Sequence, residues 1–321
     1  MRQVVLLVVL RRYGAPPALG SIVTRAVDLF GGFGGFTEGA KRAGVQVVYA
    51  ANHWPLAVET HAANHPEVEH ECQDLMQKNW TELPEYDVLL ASPACQGHSA
   101  ASQPSRQRYH DDLRMTAWAV VDCAEATLPA TLVVENVVAF QRWQLFGLWT
   151  AALEKLGYTL SIGVVRASYV GVPQRRDRLF IVGRRDGRRM KLTPKVRDEP
   201  SFRDCIDDSA AGWRDIASCR YPGARGRLRR VSAELGRGIA HHVTDCPVVS
   251  LDGPLPTITT KHQWALVDGE SYRQLTAREI ARGMGFPESY RWDTSLTQAV
   301  RGLGNAVPPP VGQHVVSRAV A

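Results

Sequence analysis

The chain predicts an α/β fold, a doubly wound and mostly parallel sheet joined to a small, irregular second domain. Three features carry that expectation. From Ile22 to Gly183, short apolar runs alternate with helical patterns. The central runs are apolar without alternation, as in strands covered on both faces. Past Gly183 the pattern breaks, and Arg, Gly and Pro become frequent.

The elements follow in order. "IVTRAVDLF" (22–30) reads as a buried strand, and a glycine turn leads into a helix, "GFTEGAKRAG" (35–44). "VQVVYAA" (45–51) is a second strand, and "PLAVETHAANH" (55–65) a helix with Pro55 in its first turn. "YDVLLAS" (86–92) and "TLVVENV" (131–137) are further strands. "RWQLFGLWTAALEKLG" (142–157) is an amphipathic helix, and "YTLSIGVVRAS" (158–168) and "RLFIVG" (178–183) complete the alternation. Helical periodicity returns at "LTAREIARGMGF" (275–286) and "PPPVGQHVVSRAVA" (308–321). The expected organisation is an extension over 1–20, an α/β domain over 21–186, a small irregular domain over 187–295, and a segment over 296–321 that rejoins the first domain. There is no internal repeat.

The 321 residues suffice for such a pair of domains. The six cysteines form no CxxC pair, so no zinc or other metal site is expected, and they read as reduced thiols of a cytoplasmic protein. The apolar run from Val4 to Leu10 is too short to span a membrane, and Arg11 and Arg12 follow it rather than precede it, unlike a signal peptide. The net charge of +6 is unevenly placed: Arg184 to Arg237 holds fifteen Lys and Arg against eight Asp and Glu. Such a segment suits a polyanion, or equally a solvated basic face.

Ligands of open parallel sheets bind beyond the carboxyl ends of the strands. Three loops there carry unusual residues. "DLFGGFGGF" (28–36) packs four glycines into five positions, allowing close backbone approach at a helix N-terminus. The dinucleotide fingerprint fails: Gly32 and Gly34 are spaced correctly, but position 37 is Thr. Phe30 and Phe33 suggest an aromatic lining for an adenine or nucleoside. In "SPACQGHS", Cys95 follows a strand end; alone, such a cysteine is more often a small buried residue than a nucleophile. In "VVENV", Glu135 closes an apolar strand and invites a raised pKa, although a surface loop would also fit.

Together with "GVPQRRDRLFIVG", "LTAREIARGMGFP" and "GLGNAVPPPVGQHV", these stretches occur in the order found in DNA (cytosine-5) methyltransferases. The resemblance runs from about Val27 to Val316, apart from the basic insert. It implies a Rossmann-like, S-adenosylmethionine-dependent methyltransferase fold. It also implies methyl transfer to carbon 5 of a cytosine flipped out of duplex DNA, with Cys95 adding to carbon 6 and Glu135 hydrogen-bonding ring nitrogen 3. Arg176 and Arg178 match the family's arginines near the target base. The implied S-adenosylmethionine site takes in Asp28, Phe30, Gly32, Phe33, Gly34, Gly35, His53, Trp54, Asp74, Leu75, Pro93, Asn305 and Ala306. Gln96, Ser99, Arg106, Arg108 and Gln174 are implied DNA contacts, and the basic insert reads as the target-recognition region. Double-stranded DNA is the implied partner of a monomer, in a bacterial or phage setting that can include a restriction nuclease.

Three positions depart from the family. His53 stands where an acidic residue usually holds the cofactor ribose, Ala94 replaces a proline before Cys95, and the insert is short. His53 keeps a second reading open, the same Cys95 chemistry with a different one-carbon donor. A non-catalytic DNA-binding relative and an RNA substrate are the others.

Overall fold

The computed structural model describes residues 23–94, 115–241 and 247–321. The extension, the segment holding Cys95, Gln96, Ser99, Arg106 and Arg108, and Cys246 lie outside the described residues.

The first strand, β1 (Arg25–Leu29), runs into the glycine turn and helix α1 (Gly35–Arg42). β2 (Gln46–Asn52), α2 (Pro55–Asn64), β3 (Glu69–Cys72) and β4 (Val88–Ala91) follow. Then come α3 (Trp118–Thr127), β5 (Thr131–Val137), α4 (Phe146–Lys155) and β6 (Thr159–Arg166). β7 (Gln174–Arg175) and β8 (Asp177–Arg184) close this half. Six of these strands and β8 give a seven-stranded sheet in the order β3-β2-β1-β4-β5-β8-β6 among the described residues. β3 to β5 are mutually parallel, and β8 runs antiparallel to β5 and β6.

The sheet is covered on both sides, which explains its continuous apolar runs. Val27, Leu29, Leu89, Leu132 and Ile181 face one way, against Val120 of α3 and Trp149 and Leu153 of α4. Ala26, Leu90, Val133 and Phe180 face the other, against Phe36 and Ala40 of α1.

The second half contains β9 (Arg214–Asp215), α5 (Pro222–Leu235), β10 (Arg237–His241), β11 (Leu255–Pro256), β12 (Trp264–Asp268) and β13 (Ser271–Gln274). It ends in α6 (Ala277–Gly283), α7 (Leu296–Asn305) and α8 (Pro309–Ala319). Four strands pair antiparallel in the order β10-β12-β13-β9, and α5 packs on them through Leu228 and Val231. Thr276 and Glu279 form a capping box at the start of α6, and Glu279 also holds Arg273 in a fully buried pair at 2.6 Å. The two halves meet where β11 pairs with β7. Val311 and Val315 of α8 join the core around Phe36 and Ala40 of α1.

Part of the basic surplus is spent locally: Arg203 pairs with Asp252 at 2.7 Å, and Arg184 and Arg188 share Asp186. No helix among the described residues is long and apolar enough to cross a membrane.

Candidate active site

The carboxyl ends of β1, β2, β4 and β5 converge on one edge of the sheet, because all four run parallel. The turn after β1 needs its glycines. Gly32 and Gly34 hold φ of +53° and +79°, and even Phe30 is left-handed at +61°. A Cβ on Gly35 would lie 2.0 Å from the Val307 carbonyl oxygen, so the C-terminal segment presses directly on the turn. That contact brings Asn305 and Ala306 to the edge where β1 ends. Asn305 is exposed and Ala306 buried.

Phe33 departs from the aromatic lining expected of it. Its ring is fully buried, stacks on Trp54 at 5.7 Å, and touches Gly302 so closely that a Cβ there would fall 2.2 Å away. It anchors the turn to the second half of the chain. The Arg301 guanidinium lies over the Trp54 ring, 4.8 Å from its centroid. Asn52 ends β2 and accepts from the Trp54 amide at 2.9 Å, leaving His53 exposed. Asp74 caps a short turn by accepting from the Met76 amide at 3.0 Å through Oδ1, while Leu75 is buried beneath.

The route to Cys95 is fixed at both sides. Asn136 donates to the Pro93 carbonyl at 3.2 Å, and the Ala94 amide donates to Thr116 Oγ1 at 3.2 Å across the two ends of the undescribed segment. Glu135 is next to Asn136 on β5, is 7% exposed, and pairs with Arg178 Nε at 3.0 Å. The antiparallel register sets Arg178 opposite Val137, making it the diagonal neighbour of Glu135 on the same sheet face. Burial pushes the Glu135 carboxyl above the usual range, against the pull of Arg178 and Arg176. A carboxyl raised in this way can hold a proton and deliver it to a bound group.

Two expected base or DNA contacts turn out to be internal clamps. Arg176 is 2% exposed. It donates to the Ile258 carbonyl at 2.9 Å, Gly304 at 2.8 Å and Ala306 at 3.2 Å, so it fixes the ends on either side of Asn305. Gln174 is wholly buried. It accepts from the Ile258 amide at 2.8 Å and donates to the Gly283 carbonyl at 3.2 Å, out of reach of DNA. Arg176→Met leaves buried carbonyls without donors and is expected to cost about 3 kcal/mol or more. A lower urea midpoint at unchanged slope would register this loss.

Sequence reasoning passed over a polar cluster under the turn: Thr37, His61, His65, His70 and Tyr290. The signal was three histidines in ten positions, with His61 and His65 one helical turn apart.

A family model described as C-5 cytosine-specific DNA methylase matches residues 24–218 and 236–321. Type II methyltransferase M1.HphI of Haemophilus parahaemolyticus is 27% identical over 323 residues, covering 90% of this chain and 84% of that protein. Type II methyltransferase M.HhaI of the same organism is 26% identical, covering 91% and 92%. In fold, the chain is similar to the Dnmt2 methyltransferase of S. pombe, with a TM-score of 0.66 at 21% identity and coverage of 92% and 98%. The Entamoeba histolytica methyltransferase EhMeth gives 0.69 at 15%, with the same coverage.

Proposed function

The chain belongs to the C-5 cytosine-specific DNA methylase family and is a DNA cytosine-5 methyltransferase, and on that premise we propose that it acts through a covalent Cys95 adduct on a flipped cytosine, with S-adenosylmethionine as methyl donor. The observation that carries this reading is the buried Glu135–Arg178 pair at the end of β5, beside the Asn136 clamp on the chain leading to Cys95.

Carbon 5 of cytosine is too poor a nucleophile to take a methyl group unaided. The Cys95 thiolate adds to carbon 6, and the ring electrons pass towards nitrogen 3 and carbon 5. Glu135 hydrogen-bonds nitrogen 3 in its protonated form, and its other oxygen accepts from the exocyclic amine. Arg178 orients that carboxyl and is placed to reach the base carbonyl. After methylation carbon 5 loses its proton to a base, and Cys95 leaves by elimination. The base is out of reach inside a duplex, so unstacking it precedes chemistry and costs a few kcal/mol.

S-adenosylmethionine supplies an electrophilic methyl group when bound. The residues present fit it. The glycine turn admits close backbone approach, and the half-buried Phe30 offers ring surface. Asp74 keeps Oδ2 for an adenine amine, and Asn305 is exposed at the same edge. His53 offers the ribose a single hydrogen bond in place of a carboxylate. Arginines of the basic insert, including Arg225 and Arg229 on α5, supply phosphate contacts, with Arg106 and Arg108 from the Cys95 segment.

Pure protein given tritiated S-adenosylmethionine and mixed-sequence duplex DNA is expected to transfer label, recovered as 5-methylcytosine. A different nucleoside mass would favour another one-carbon donor. Binding of both ligands with no transfer would sink the catalytic reading.

A further inference from the structure

Beneath the glycine turn lies a hydrogen-bonded chain that the methyl-transfer scheme leaves unused. Thr37 Oγ1 donates to Asp28 Oδ2 at 2.8 Å. His61 Nε2 lies 3.0 Å from the same hydroxyl, and His61 Nδ1 lies 2.7 Å from His70 Nε2. Asp28, Thr37 and His61 are buried and His70 is half-buried, so the chain begins under the turn and ends near solvent. A carboxyl, a hydroxyl and two imidazoles in series can each give and take a hydrogen.

The cluster supports the turn itself. His65 Nε2 lies 3.2 Å from the Tyr290 hydroxyl, which donates to the Phe33 carbonyl. A Cβ on Gly34 would lie 2.5 Å from that hydroxyl and 3.0 and 3.1 Å from the rings of His61 and His65. Meanwhile Asp28 Oδ1 is buried with no hydrogen-bond partner, and a Cβ on Gly31 would lie 3.3 Å from Asp28 Cγ and Oδ2. An ionised carboxylate there is compensated only by Thr37 until a positive charge arrives.

We propose that Asp28, Thr37, His61 and His70 form a proton wire. Asp28 gives up its proton as the positively charged cofactor settles on the turn, and the proton leaves at His70. This rests on the S-adenosylmethionine reading above. The transfer balances. With Asp28 protonated, its hydrogen points to Thr37, that of Thr37 to His61 Nε2, and that of His61 Nδ1 to His70 Nε2. When His70 Nδ1 releases its proton, each hydrogen moves one place outward. Asp28 is left ionised and accepting from Thr37, with both imidazoles neutral as before.

The electrostatics fit a neutral wire. Burial pushes Asp28 up to about 7 and lowers His61, His65 and His70. Of the charged groups around, Glu38, Glu67 and Lys41 face His65, Glu67 faces His70, and Glu38 and Asp28 face Tyr290. His61 meets His65 and His70. Binding that expels a proton weakens as pH falls below the Asp28 midpoint, by up to about tenfold per pH unit, and levels off above it.

The test mixes full-length protein with S-adenosylmethionine, without DNA, in weak buffer at pH 7. Intrinsic fluorescence follows binding and an indicator dye follows protons. Wild type is expected to release protons in step with binding, and Asp28→Asn to release none. His61→Gln keeps a donor to Thr37 and an acceptor for His70 but cannot pass a proton, so its release should lag binding at least tenfold. His70→Gln, at the half-buried end, should lag likewise. Wild-type release from Asp28→Asn, or release in step with binding in both glutamine variants, overturns the wire. Binding without any proton release overturns it while leaving the cofactor reading intact. Absence of binding overturns both.

Discussion

Cys95→Ser is expected to reduce methyl transfer by at least about 10⁴-fold while DNA is still bound. A serine hydroxyl is scarcely ionised at neutral pH, attacks carbon 6 weakly, and is a harder, poorer leaving group at the elimination step. The loss should fall on the chemical step. Single-turnover rates in labelled-methyl assays should collapse, while gel-shift affinity for the same duplex holds. A variant retaining a tenth of wild-type turnover would show that the adduct is not the route to carbon 5.

Glu135→Gln is expected to lower turnover by about 10²–10⁴-fold, the span of a positioned acid. The amide still donates a hydrogen bond but cannot hand over a proton. The pH profile carries the sharper statement. Burial raises the Glu135 carboxyl, and its protonated form is the one that assists nitrogen 3. Activity should therefore decline as pH rises through that raised midpoint, and the glutamine variant should lose this alkaline limb. Arg178 is the largest opposing influence, so Arg178→Met should move the limb to higher pH. An unchanged limb in Glu135→Gln would assign it to another group.

The strands at the centre of the sheet were legible because burial on both faces leaves an unbroken apolar run. β3 was not: "EHEC" is a polar edge strand with one neighbour, and only β2 makes it a strand. The helix over Trp118–Thr127 went unnoticed because it is apolar over most of its surface. The small antiparallel sheet joins Arg214 to Tyr272, a pairing that local pattern cannot announce.

In the site, residue type was readable but side-chain direction was not. Gln174 and Arg176 stand in the same short stretch as Arg178. Yet both turn inward to bind carbonyls and amides of distant segments, while Arg178 turns to Glu135. Phe33 likewise looked like a pocket wall and is a core residue. The histidine chain needs α1, α2 and β3 brought together before it exists at all.

The most direct measurement is intact-mass analysis of the protein after incubation with S-adenosylmethionine and a duplex carrying 5-fluorocytosine in place of cytosine. Fluorine at carbon 5 cannot leave as the proton does, so elimination is blocked once the adduct is methylated. The account predicts a stable species of protein plus one methylated strand, attached at Cys95 and absent from Cys95→Ser. Methylation of ordinary cytosine with no trapped species on the fluorinated duplex would contradict the covalent mechanism.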